Sequence, residues 1–153
     1  MILFNNWYYD NMKILIVTNG FPSKLNKSSG IYTYYRVRAL QKLNIEVEVI
    51  LLNSCISRKL NVKYCSHYNT KDLNMEEPSD INVTVINYIK IPFIYEFVLG
   101  CYILKHVAKF KCDVVHFHFL WNVFGYKKLL KHNVPYVITC HGSDIHQLQK
   151  RSK

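Results

Sequence analysis

The chain has 153 residues, half of them hydrophobic, and 20 Lys and Arg against 10 Asp and Glu give it a formal charge of +10. That length and apolar content suit one folded domain and exclude a disordered or collagen-like chain. The five cysteines, Cys55, Cys65, Cys101, Cys112 and Cys140, are odd in number and form no C-x-x-C pair, which argues against a disulfide framework or a four-cysteine zinc site and for a reducing cytosol.

A basic balance suits nucleic acid, an anionic membrane face or a phosphate-bearing ligand. The lysines are scattered, however, and no basic stripe or stacking string accompanies the 12 tyrosines, so nucleic-acid binding is not expected. The start, "MILFNNWYYDN", lacks the basic opening and cleavage site of a signal peptide. The longest apolar stretch, residues 91–104, is interrupted by Pro92, Glu96 and Gly100 and falls short of the ~20 residues a membrane helix needs.

Taken in order, residues 1–11 carry no pattern and read as an extension, with Met12 as a second possible start and 12–153 as the domain. "ILIVT" (14–18), after Met12-Lys13, is a continuous apolar run ending in turn residues, the mark of a strand buried on both faces. Residues 19–30 form a loop rich in Gly, Ser and Asn. Residues 31–43 predict a helix with Val37, Leu40 and Leu43 on one face, although Arg36 interrupts that stripe. Ser28 or Ser29 is its expected cap, and Asn44 the left-handed residue that ends it. Strands follow at 46–52 and 82–89, on either side of a polar segment without period, 53–81. A helix over 93–110, a strand over 113–119, a helix over 122–132 and a strand over 135–140 complete the order. Strands alternating with helices predict an α/β fold, a Rossmann-like open parallel sheet with helices on both faces. Ligands bind such sheets at the carboxyl ends of the strands, which gathers the loops 19–30, 118–122 and 141–146 in one place.

Three groups of residues there bear on chemistry. Gly20 and Gly30 lie in a strand–loop–helix unit, where free N–H groups and an absent Cβ let a phosphate approach, or where Gly30 merely relieves a turn. NAD binding is disfavoured, because G-x-G-x-x-G is missing and Leu52-Asn53 stand where a ribose-binding acid belongs. His116 and His118, at i and i+2, share a face of their strand and with His141 could hold a metal, or His116 could be a core histidine bonded to a neighbour. His141 ends the last strand, Gly142 removes bulk beside it, and Ser143 or Asp144 can cap a following helix.

"MKILIVTNGFPSKLNKSSGIYTYY…ALQKLNIEVEVI", "DVVHFHFLW" and "VPYVITCHGSDI" together resemble the N-terminal domain of family 4 retaining glycosyltransferases of the GT-B fold, from Met12 to about Ile145. The resemblance implies the acceptor-side half of a two-domain enzyme that moves a sugar from a nucleotide-sugar, its co-substrate, to a glycan or lipid-linked acceptor, with no metal or other cofactor. It implies that His141 is the catalytic residue, bonding a hydroxyl of the transferred sugar. Gly30 would offer its N–H to the donor's distal phosphate, and His118, Ser143 and Asp144 would line the acceptor side. The family often has Gly-Gly where Ser29-Gly30 stand, and Gly-His where Asn44-Ile45 stand. The paired-glutamate motif and nucleotide pocket of the C-terminal domain are absent from the sequence, so the chain by itself is expected to bind donor weakly and transfer no sugar. A cytoplasmic location, with peripheral contact to an anionic inner membrane face through the 93–110 helix, also follows from the resemblance. Two alternatives stand beside it: a non-catalytic acceptor-binding or assembly module that partners a separately encoded C-terminal half, and a metal-dependent hydrolase built on His116, His118 and His141.

Overall fold

A computed structural model of the chain describes residues 11–22, 27–55, 81–89, 91, 94–123, 126, 134–142 and 144–146. Outside the described residues lie the expected extension up to residue 10, most of the polar segment 53–81, most of the expected helix 122–132, and Ser143.

The elements are β1 (Lys13–Thr18), α1 (Ile31–Gln41), β2 (Glu46–Cys55), β3 (Asn82–Ile89), α2 (Tyr95–Phe110), β4 (Val114–His118), a 3₁₀ turn (Leu120–Asn122) and β5 (Tyr136–Thr139). All strand pairs are parallel and their order is β3-β2-β1-β4-β5. The chain moves from β1 to β2 through α1, then crosses back from β3 to β4 through α2. Right-handed crossovers in opposite directions put their helices on opposite faces of a sheet. On one face Leu99, Ile103 and Val107 of α2 pack with Leu15, Val17, Val115 and Phe117. On the other, Tyr34 and Val37 of α1 pack with Ile16, Val47 and Val49. Burying both sides of β1 explains its unbroken apolar run, and each fully buried aliphatic side chain contributes roughly 1.5–3 kcal/mol. The architecture is the α/β, Rossmann-like sheet with helices on both faces that the alternating pattern implies.

Two local expectations need correction. No serine side chain caps α1; Gly30 is the capping residue, at φ 60°, and its carbonyl accepts from the N–H groups of Thr33 (2.9 Å) and Tyr34 (3.3 Å). The buried face of α1 is Thr33, Tyr34 and Val37, and the helix stops before Leu43, which is 62% exposed. Asn44 does adopt the left-handed conformation, φ 59°, which asparagine tolerates better than most residues other than glycine. Cys112 is a buried free thiol, pushed up to about 11 by burial, and Cys101 and Cys140 are exposed and free. No described helix is long and apolar enough to cross a membrane.

Candidate functional site

The strand order reverses direction between β1 and β4, and the loops beyond their carboxyl ends part there. Such a switch point is where open α/β sheets place ligands. Here it is bounded by the Gly20–Gly30 loop, the 3₁₀ turn after β4 and the loop after β5.

The i, i+2 rule holds for β4. His116 pairs with Val137, and His118 with Thr139, so both rings and the Thr139 hydroxyl lie on the α1 face of the sheet. The His116 and His118 rings stack at 4.7 Å. Arg36, one turn into α1, reaches across to them: its Nη1 donates to Thr139 Oγ1 at 2.9 Å and lies 3.3 Å from His116 Nε2. Arginine cannot accept, so His116 Nε2 does, and it also takes the Thr139 hydroxyl proton at 2.7 Å. His116 is thus a bonded core histidine. Burial, with the Arg36 charge next, lowers it to about 4.

His118 is fully buried, and its Nδ1 lies 3.0 Å from Nε2 of His141. Its own Nε2 is buried and has no partner among the described residues. An unpaired buried N–H costs about 1–3 kcal/mol, and proteins leave buried N–H donors unpaired less often than acceptors. The favoured tautomers therefore have His118 donating from Nδ1 to His141 Nε2, which leaves His141 a free N–H at Nδ1. Burial first, then His116, Arg36 and His141, lower His118 to about 3. His141 is lowered as well, by burial, with the Asp144 charge opposing and Arg36 assisting. All three rings are neutral at pH 7.

The outer histidine is gripped by aromatics. Tyr32 of α1 lies 4.4 Å from the His141 ring and Phe119 4.6 Å from it, and Phe119 stacks on Trp121 at 5.0 Å and 10°. Phe119 holds φ 73°, ψ 131°, a conformation that costs a bulky residue of order 1–3 kcal/mol. Its N–H donates to Thr139 O at 3.0 Å, which ties the strained residue to the end of β5.

Asp144 holds the loops together. Its Oδ1 accepts from the backbone N–H groups of His141 (2.9 Å) and Ile145 (3.2 Å), and its Oδ2 from Leu120 (3.0 Å). Burial raises its pKa, but these backbone donors outweigh it and hold the carboxyl below its ordinary value. At 1% exposure it faces inward, so the structure places it as a clamp on the site rather than as a surface of it. Asn122 makes a second clamp: its amide donates to Asn19 Oδ1 and to the His118 carbonyl, each at 2.6 Å, while Asn19 donates to Leu52 O at 3.3 Å. Gly30 meets the loop from the other side. A Cβ there would overlap the Gly20 carbonyl, so glycine is needed by both its φ and its neighbour.

Of the residues singled out from sequence, Gly30, His116, His118, His141 and Asp144 converge on this edge. Ser143 lies outside the described residues. Tyr32, Arg36, Asn19, Phe119, Trp121, Asn122 and Thr139 complete the site and were not foreseen. Arg36 alone left a signal, as a charge inside the apolar stripe of α1. For the metal alternative, His116 Nε2 is engaged by Thr139 and Arg36, and no group of three or more His, Cys, Asp or Glu among the described residues is arranged to hold an ion.

The description Glycosyltransferase Family 4 matches residues 29–153. The chain belongs to glycosyltransferase family 4. It is also 26% identical over 153 aligned positions to a Bacillus subtilis (strain 168) protein, TuaC, provisionally named a teichuronic acid biosynthesis glycosyltransferase. That alignment takes in 93% of this chain and 39% of the relative, so the chain spans about two fifths of the length of the protein it matches. The family match covers α1, the histidine strand β4 and the His141 loop, and leaves Asn19 and Gly20 of the site outside it.

Proposed function

We propose that this chain forms the acceptor-side wall of a retaining hexosyltransferase, which moves a sugar from a nucleotide-sugar to a glycan or lipid-linked acceptor, and that 12–153 is its N-terminal Rossmann-like domain. The observation that carries the reading is His141: an imidazole at the carboxyl edge of the sheet, braced by Tyr32, Phe119 and His118, whose favoured tautomer leaves one N–H to give. A donor N–H suits a sugar hydroxyl, and a ring this firmly held fixes where that hydroxyl sits. Positioning of this kind lowers the barrier by avoiding reorganisation as the glycosidic bond breaks. His141 is the residue we assign to the transferred sugar. His118 acts through it by setting its tautomer, and Asp144 by holding its backbone. Gly30, at the start of α1, is the residue we assign to the donor phosphate through its backbone N–H, and Ser143, which lies outside the described residues, is assigned to the acceptor side.

The family's transfer needs a second wall for the nucleotide, so the 153-residue chain by itself is expected to bind donor weakly and to turn over none. NMR titration of the chain with a nucleotide-sugar tests this: shifts at Gly30 and His141, lost in His141→Ala, support it, and robust transfer or shifts confined elsewhere overturn it. The name of the relative supports a place in glycan synthesis.

A peripheral membrane contact belongs to the same proposal. Ile94, Phe97, Val98 and Tyr102 stand exposed along α2, with Ile89 and Ile91 exposed just before it and Lys105 and Lys109 exposed further along. Each lysine near an anionic surface adds about 1 kcal/mol. The other face of α2 packs on the sheet, so the helix can serve both surfaces. A cytoplasmic enzyme resting there would meet lipid-linked acceptors. Flotation with anionic but not neutral liposomes is the expected result; equal behaviour with both removes the contact.

A further inference from the structure

Arg36 is a charge the functional reading does not use. It is partly buried against β4 and β5, and its recorded partners are the Thr139 hydroxyl and His116 Nε2, both neutral. No described carboxylate pairs with it. Asp144, the one acid of the site, has both oxygens engaged by backbone N–H groups. The three imidazoles nearby are neutral and supply no counter-charge. Elsewhere on the sheet, Lys13 has its expected partner, Glu46, at 2.8 Å. A guanidinium partly withdrawn from water and without an anion forms its stronger, charge-assisted hydrogen bonds only when an anion arrives.

The geometry also prepares the group. A guanidinium carries five N–H donors in a planar fork, and the two contacts here occupy one end of it. Thr139 fixes the plane from β5 while α1 fixes the stem. Arg36 lies 3.3 Å from His116, whose ring stacks on His118 at 4.7 Å, and His118 stacks on His141 at 5.2 Å, so the charge belongs to the same cluster as the ring assigned to the sugar.

We infer that Arg36 anchors an oxyanion, a carboxylate or phosphate, carried by the ligand that binds against His141, with Thr139 as its positioning residue. The inference rests on the reading of this edge as a sugar site, and it adds an anion contact at Arg36, separate from the donor phosphate assigned to Gly30. An acidic sugar and a phosphorylated one present the same chemistry to Arg36.

The test is NMR titration of the 153-residue chain, at constant ionic strength, with glucuronate, inorganic phosphate and glucose in separate arms. Glucuronate or phosphate is expected to shift Thr139 and His141. Arg36→Gln should weaken that binding about tenfold or more, as loss of a charge-assisted pair does. Arg36→Lys should retain more than Arg36→Gln, and Thr139→Val should weaken binding severalfold with the charge intact. Either of these carries the test if Arg36→Gln fails to fold. Response to glucuronate assigns the anion to a sugar acid, and response to phosphate alone assigns it to a phosphate. Absence of a shift at these residues with either anion overturns the inference. So does a shift that Arg36→Gln leaves intact, or one spread equally over Lys105, Lys109 and Lys111. Glucose that shifts His141 while no anion does would leave the sugar site standing and Arg36 without this role.

Discussion

Acidification should unfold this chain in a window set by its stacked histidines. His116 and His118 are neutral in the folded state, lowered from 6.5 to about 4 and about 3, chiefly by burial. In the unfolded chain both regain the ordinary value. Between pH 6.5 and 4 the unfolded state therefore binds more protons, and stability rises with pH. It is fully present above 6.5 and is lost as pH falls below it, at up to about 1.4 kcal/mol per pH unit for each histidine. By pH 5 the two remove roughly 4 kcal/mol, a large part of the 5–15 kcal/mol typical of a domain. His141, lowered as well, steepens the same window. Asp144 acts lower down, below its ordinary 3.8, and does not confuse it. Urea denaturation followed by tryptophan fluorescence at a series of pH values measures the slope. His118→Phe should remove about one histidine's share, about 1.4 kcal/mol per unit. Equal stability at pH 7.5 and 5, or a slope that His118→Phe leaves unchanged, refutes the buried neutral stack.

Three further outcomes follow from the clamps. Asp144→Ala strands the partly buried N–H groups of Leu120 and His141 and should cost about 1–3 kcal/mol, while Asp144→Asn, which keeps an acceptor, should cost less; thermal melts compare them. Gly30→Ala forces a Cβ into the Gly20 carbonyl at φ 60° and should cost at least about 2 kcal/mol, with α1 losing hydrogen-exchange protection at its first turn. Asn122→Ala removes the donor to Asn19 Oδ1 and to the His118 carbonyl, so a loss of about 1–3 kcal/mol and broadened His118 resonances are expected.

The legible parts of the site were those whose backbone context repeats in the chain. His116 and His118 could be put on one face because strand geometry alternates, and Gly30 at a helix start because loop and helix compositions differ. Asp144 was legible as a capping residue, yet its second oxygen reaches Leu120, 24 positions away, and no local pattern reports that. Ser28 and Ser29 looked like caps by residue type, but a glycine already at positive φ leaves a side-chain cap no place.

Among the described residues, the sequence by itself determined the order of strands and helices, the parallel sheet and the edge where its loops gather. Apolar runs that bury two faces have few other arrangements. Only the tertiary structure decided which of those edge residues act together. Arg36 joins His116 and Thr139 across 80 and 103 positions, and Tyr32 and Phe119 close on His141 from different elements. Such contacts depend on crossover direction and strand register, which set distances that periodicity along a chain does not encode.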